Sequence, residues 1–176
     1  MDTARPLYSQ EIHSFLLWMP NWIGDVVLTL PVIQSLRRAY PVARISVVAK
    51  SPSDELLMGH PSINTVFTLP SGSENGFWQK AKFARNLKKF NFDVGVVFPN
   101  SFGSAFLLSL TGVKCRLGYN TDAREILLTH PVKTTSRLKK AQYRVEYFFK
   151  IFSSLKLDAP AREFAPLISQ EGDATT

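Results

Sequence analysis

Phe15-Leu16-Leu17-Trp18-Met19-Pro20-Asn21-Trp22-Ile23-Gly24-Asp25-Val26 is the stretch on which the fold turns. Its first five residues form a short, unbroken apolar run, the pattern of a strand buried on both faces of a parallel sheet. Pro20 to Gly24 interrupts the run. From Asp25 the period changes: Val26, Leu30, Ile33 and Tyr40 recur at helical spacing, Arg37 and Arg38 stand near the end, and Pro41 is the stop. Pro31 falls inside this helix and predicts a kink or a lost backbone bond there. A strand, a polar turn and a helix make the first half of a βαβ unit.

The alternation continues along the chain. Residues 45–49, 65–69, 93–98 and 114–117 read as four further strands. A short helix runs from Ser51-Pro52 to Met58, and longer ones over residues 77–90, 101–110 and 139–155. Residues 118–129 read as irregular or partly helical. The last helix carries an apolar stripe of Val145, Phe148, Phe149, Phe152 and Leu155, the signature of core packing. Such alternation specifies an α/β domain: a Rossmann-like parallel sheet, helices on both faces, right-handed crossovers. The organisation read from the sequence is an irregular segment over 1–14, one domain over 15–165, and a polar tail or linker start over 166–176. A chain of 176 residues suits one full domain.

Composition narrows the partners. Hydrophobic residues make up 45% and charged residues 20%, as in ordinary soluble domains. The net charge of +7 favours an anionic partner: phosphate groups, an acidic membrane surface or nucleic acid. Against nucleic acid, there is no helix-turn-helix, zinc or RNP-type motif. No apolar stretch approaches the roughly 20 residues of a membrane span. The run over 15–19 is too short for a signal-peptide core and follows Glu11 and His13, not a basic segment. The single cysteine, Cys115, cannot form an internal disulfide and has no metal-ligand neighbour, which points to a buried thiol and a reducing compartment such as the cytosol.

In open α/β sheets, ligands bind beyond the carboxyl ends of the strands. Two strand ends stand out: Pro20-Asn21-Trp22-Ile23-Gly24-Asp25 and Pro99-Asn100-Ser101-Phe102-Gly103-Ser104. Each opens a helix, whose free N–H groups can receive an anion. Neither is a dinucleotide or P-loop motif, and GxSxG is absent. Asp25 has two readings: a helix N-cap, contributing about 1 kcal/mol, or a general base facing the cleft. Asn100, Ser101 and Ser104 divide in the same way between capping and contact with an anion or sugar. The basic residues Lys80, Lys82, Arg85, Lys88 and Lys89 read first as a solvated helix face. His13, His60 and His130 have no local partners and read as loop or surface residues.

The segment from Pro20 to Pro31 resembles the N-terminal signature of glycosyltransferase family 9, the lipopolysaccharide heptosyltransferases, in the Asn-Trp-Ile-Gly-Asp form of the heptosyltransferase II branch. Further matches follow in order: Phe98-Pro99-Asn100-Ser101-Phe102-Gly103-Ser104-Ala105, then Gly112 to Tyr119, then Arg124 with Leu127-Leu128-Thr129, then Val145-Glu146-Tyr147. Together they run from about Trp18 to Leu157. Before the last segment, where members often carry a His or basic residue, this chain has Tyr143-Arg144, whose role the sequence leaves open.

The resemblance implies a GT-B architecture of two Rossmann-like domains, of which this chain would be the N-terminal, acceptor-binding half. The reaction implied is transfer of heptose from ADP-heptose to the lipopolysaccharide inner core, inverting the anomeric centre without a metal or other cofactor. Asp25 would be the base. Asn21, Trp22 and Gly24, with Asn100, Ser101 and Ser104, would line the acceptor side. Arg116 and Arg124 would meet acceptor phosphates or carboxylates, which guanidinium groups bind bidentately. The acceptor would be a Kdo-lipid A precursor, presented at the cytoplasmic face of the inner membrane. The donor ADP-heptose would belong to a C-terminal domain that this chain lacks, so the chain alone should not turn over. Two alternatives stay open: a non-catalytic module for a phosphosugar or lipid A, and another family 9 transferase.

Overall fold

The structure is a computed structural model that describes residues 11–71, 76–134 and 144–155. β1 (Ser14–Trp18) lies inside a six-stranded sheet with β2 (Arg44–Ala49), β3 (Thr65–Thr68), β4 (Val94–Val97), β5 (Cys115–Tyr119) and β6 (His130–Val132). The order is β3-β2-β1-β4-β5-β6 and every pairing is parallel. This is the doubly wound order, whose direction reverses between β1 and β4. The Rossmann-like sheet expected from the alternation is therefore present.

Burial on both faces explains why β1 is apolar at every position. Successive side chains point to opposite faces. Phe15 and Leu17 join the core under α1 (Ile23–Ala39) and α5 (Arg144–Lys150). Leu16 and Trp18 join the core under α3 (Gly76–Asn86) and α4 (Phe102–Leu110). Burying each such side chain contributes about 1.5–3 kcal/mol. Gly95 in β4 lets α4 settle on the sheet: a Cβ there would lie 2.8 Å from Val113 Cγ1 and 2.9 Å from Leu108 Cδ1.

Several elements differ from the sequence reading. α1 continues through Pro31 to Ala39. Its loss there is the one backbone bond that proline cannot donate. The short helix is α2 (Ser53–Leu57). The basic helix tightens after Asn86 into a 3-10 turn, Leu87–Phe90, and Asn91 closes it in the left-handed region at φ 48°. The segment expected to be irregular contains the end of β5, a 3-10 turn at Arg124–Leu127 and the sixth strand. β6 is only three residues long and begins His-Pro, so it gives no apolar run to detect. The last helix is described from Arg144 to Lys150, with turns to Leu155. Its expected start at 139–143 lies outside the described residues, as do residues 1–10 of the N-terminal segment and the tail over 166–176. Val145, Phe148, Phe152 and Leu155 are core, and Phe149 packs against it.

Candidate functional site at the switch point

The carboxyl ends of β1 and β4 carry the two loops singled out above, and a cleft of about 190 Å³ opens between them. Pro20, Asn21, Trp22 and Asp25 form one wall; Phe98, Pro99, Asn100 and Ser101 form another; Arg144, Tyr147 and Phe148 of α5 close the third. A second cavity, about 460 Å³, lies on the opposite side of the same loops. It shares Asn21, Pro99 and Ser101 with the first and adds Ser104, Gly103, Lys50 and Lys80. Among the described residues, neither lysine has a carboxylate partner.

Asp25 is not the N-cap of α1. Trp22 holds that position, at φ −101° and ψ 132°, and no side chain caps the helix. Asp25 is the third helical residue, so its carboxylate projects from the first turn, where the helix dipole favours negative charge. Arg144 Nη2 donates to Asp25 Oδ1 at 3.0 Å and Oδ2 at 3.2 Å. The Arg144 side chain is 56% exposed and that of Asp25 21%, so this pair sits at the rim and is screened by solvent.

The second loop is tied down from several sides. Ser101 caps α4: its Oγ accepts from the Ser104 amide at 3.3 Å. Ser104 Oγ donates to Ser101 O at 2.7 Å. The side chain that sets the loop is Arg124, which has no solvent exposure. Its guanidinium donates to Tyr119 O at 2.6 Å, to Pro99 O, and to Asn100 Oδ1 at 3.1 Å. Burial among carbonyls pushes its pKa down to about 10, with Tyr147 and Asp122 opposing. Asn100 Nδ2 donates to Tyr147 Oη at 2.6 Å. Tyr147 in turn stacks on Tyr119 with ring centroids 4.3 Å apart. Burial raises the pKa of the Tyr119 hydroxyl, which donates to Tyr147 O at 2.5 Å.

Asn21, Trp22, Asp25, Asn100 and Ser101 line the smaller cleft, and Ser104 lines the larger cavity with Asn21 and Ser101. The two arginines expected to hold acceptor anions do not line either cavity. Arg116 lies near the amino end of β5, opposite Gly95, and donates Nε to Leu127 O and Nη1 to Val113 O. Arg124 spends its donors on the chain itself. Gly24 lies in the first loop but lines neither cavity. Arg144 and Tyr147, which the sequence marked only by resemblance and without a role, belong to the cleft; Arg144 is separated from Asp25 by 119 residues. Lys50 is a strand-end residue whose role depends on α3 folding over it. Cys115 is half-buried, and burial raises its thiol pKa. His13, His60 and His130 line neither cavity. Among the described residues, no group of three or more His, Cys, Asp or Glu side chains is placed to hold a metal.

A parallel doubly wound sheet with a polar cleft at its switch point defines a Rossmann-like ligand-binding domain. The family model of glycosyltransferase family 9 (heptosyltransferase) matches residues 80–175. The chain belongs to that family. It is 30% identical over 110 residues to lipooligosaccharide heptosyltransferase 2 of Haemophilus ducreyi, covering 62% of this chain and 31% of that protein. It is 31% identical over 112 residues to lipopolysaccharide heptosyltransferase 2 of Escherichia coli K12, covering 62% and 32%. The solved E. coli ADP-heptose lipopolysaccharide heptosyltransferase II superposes with a TM-score of 0.67 at 26% identity, over 78% of this chain and 39% of that one. A family 9 transferase from Veillonella parvula shares the fold, with a TM-score of 0.74 at 16% identity over 85% and 42%. The chain therefore spans about a third of the length of the curated relatives it matches.

Proposed function

We propose that this chain is the acceptor-binding part of an ADP-heptose:lipopolysaccharide heptosyltransferase, with Asp25 as its base. The observation that carries this reading is the Asp25 carboxylate at the rim of the switch-point cleft in a family 9 chain. In the proposed reaction Asp25 takes the proton from an acceptor hydroxyl. That oxygen then bonds to the anomeric carbon of the heptose, whose bond to the diphosphate breaks with inversion, and ADP leaves with the electron pair. Arg144 Nη2 bonds both Asp25 oxygens, and the carboxylate keeps lone pairs free for the acceptor hydroxyl. The donor would be held by a further domain.

The inner membrane is the proposed place of work. Trp22, Ile23, Phe77, Trp78 and Phe102 are large, apolar and exposed. Each stands at the start of a helix whose preceding strand ends on the cleft side; Trp22 lines the smaller cleft and Phe77 the larger cavity. Such a set with a net charge of +7 suits a lipid-anchored, anionic acceptor. Among the described residues no helix is long and apolar enough to cross a membrane.

In an enzyme carrying this chain together with a donor domain, Asp25→Ala should lower turnover by about 10² to 10⁴ with the fold intact. Retained turnover would remove Asp25 from the role. Titration of the chain itself should show binding of a Kdo-containing lipid A fragment and none of ADP; tight ADP binding contradicts the assignment. A second reading, a non-catalytic phosphosugar-binding module, is favoured by one observation: Lys50 and Lys80 offer cationic groups to the larger cavity, away from Asp25. Acceptor binding with Asp25→Ala turnover unchanged would support it.

A further inference from the structure

Arg124 determines more than the position of a loop. Arginine has donors and no acceptor. The atom of Asn100 facing Arg124 Nη2 must therefore be the amide oxygen, and the amide nitrogen must face Tyr147. That nitrogen also has only hydrogens to give. So the Tyr147 oxygen accepts from Asn100, at 2.6 Å, and cannot use its own hydrogen on that partner. Among the described residues no acceptor takes the Tyr147 hydroxyl hydrogen. Tyr147 and Asn100 both line the cleft, beside Arg144, whose guanidinium carbon lies 6.0 Å from the Tyr147 ring centroid.

We infer that Tyr147 is an acceptor-recognition residue, its hydroxyl polarised by the Arg124–Asn100 relay to donate to an anionic oxygen, carboxylate or phosphate, of the acceptor in the cleft. This rests on the acceptor reading of the cleft and deepens it. The relay runs in one direction because its first member can only donate. Buried positive charge at Arg124 strengthens each link, since hydrogen bonds in series polarise one another in a low-dielectric setting. Arg144, paired with Asp25, stands beside it, and Tyr147 supplies direction. A neutral sugar hydroxyl can also accept from Tyr147, but an anionic oxygen accepts the stronger, charge-assisted bond, so the position favours an anion.

The test uses this chain and NMR titration with two probes. Kdo offers a carboxylate without phosphate, and inorganic phosphate offers the other anion; the stronger binder identifies the source. A Kdo-containing lipid A fragment is the third titrant. Tyr147→Phe should weaken the bound probe about tenfold, the worth of one hydrogen bond to a charged group. Asn100→Asp reverses the relay: its carboxylate accepts from both Arg124 and the Tyr147 hydroxyl, and it gives Arg124 a counter-charge, so the fold should be kept. In that background Tyr147→Phe should cost no further affinity. Unchanged binding by Tyr147→Phe, or an equal loss in both backgrounds, overturns the inference. If the wild-type chain binds none of the three titrants, the acceptor reading falls. The polarity is then read without ligand, from the Tyr147 Cζ resonance of ¹³C-labelled protein. It should shift in Asn100→Asp as the hydroxyl turns from accepting to donating, and an unmoved resonance overturns the relay.

Discussion

The loops after β1 and β4 share a plan. Each begins Pro-Asn, has Gly at its fifth position and opens a helix at a strand's carboxyl end. Even their cap residues adopt similar extended backbone, φ −101° and ψ 132° at Trp22, φ −77° and ψ 148° at Ser101. Their fastening differs. Ser101 bonds its own helix, and Arg124 grips the strand end behind it from a fully buried position. The Trp22 side chain makes no cap bond and is 78% exposed, and the first turn of α1 carries a surface ion pair at Asp25. The difference separates two tasks: the second loop is a fixed wall, while the first presents its carboxylate and its aromatic ring to whatever enters. One side of the cleft is preorganised by buried bonds, and the other carries groups held only at the surface.

Substitutions can break that contrast in a definite order. Arg124→Met should be the most damaging. It removes the guanidinium from the Tyr119 and Asn100 oxygens and leaves Pro99 O only the Ser104 hydroxyl at 3.2 Å, and each buried unsatisfied group costs about 1–3 kcal/mol. A loss of about 3 kcal/mol or more is expected by denaturant unfolding, and a loss under about 1 kcal/mol would show that the wall stands without it. Ser101→Ala comes next, at about 1 kcal/mol, the worth of a helix cap. Trp22→Ser supplies the first loop with the cap it lacks and should raise stability by about 0.5–1 kcal/mol. The same change should weaken binding to anionic vesicles, measured by co-sedimentation. A destabilised Trp22→Ser chain would mean that the exposed ring is structural. Smallest of all is Arg144→Ala, because the Asp25 pair is largely solvated: a change within about 0.5 kcal/mol is expected in thermal unfolding. A large loss there would erase the contrast between the loops.

The sequence made the first loop legible and half of the second. Apolar runs, helical spacing and strand-end turns are local signals, so they located five of the six strands, the helices and both loops. Asp25, Asn21, Trp22, Asn100, Ser101 and Ser104 follow from those positions. Residue type alone misassigned Arg116 and Arg124. A guanidinium satisfies an external anion and three carbonyl oxygens by the same donors, and nothing in the local sequence says which is nearer. The roles of Arg144 and Tyr147 stayed open for a related reason: they reach the cleft because α5 packs on α1, about 120 residues away in the chain.

What the sequence determined by itself, then, is the alternation, the parallel sheet and the two helix-opening loops, because hydrophobic period is set residue by residue. Tertiary structure alone decided which polar groups face the cleft and which direction their hydrogens point. Those choices depend on donors and acceptors brought together from distant segments, and on the burial that obliges each of them to find a partner.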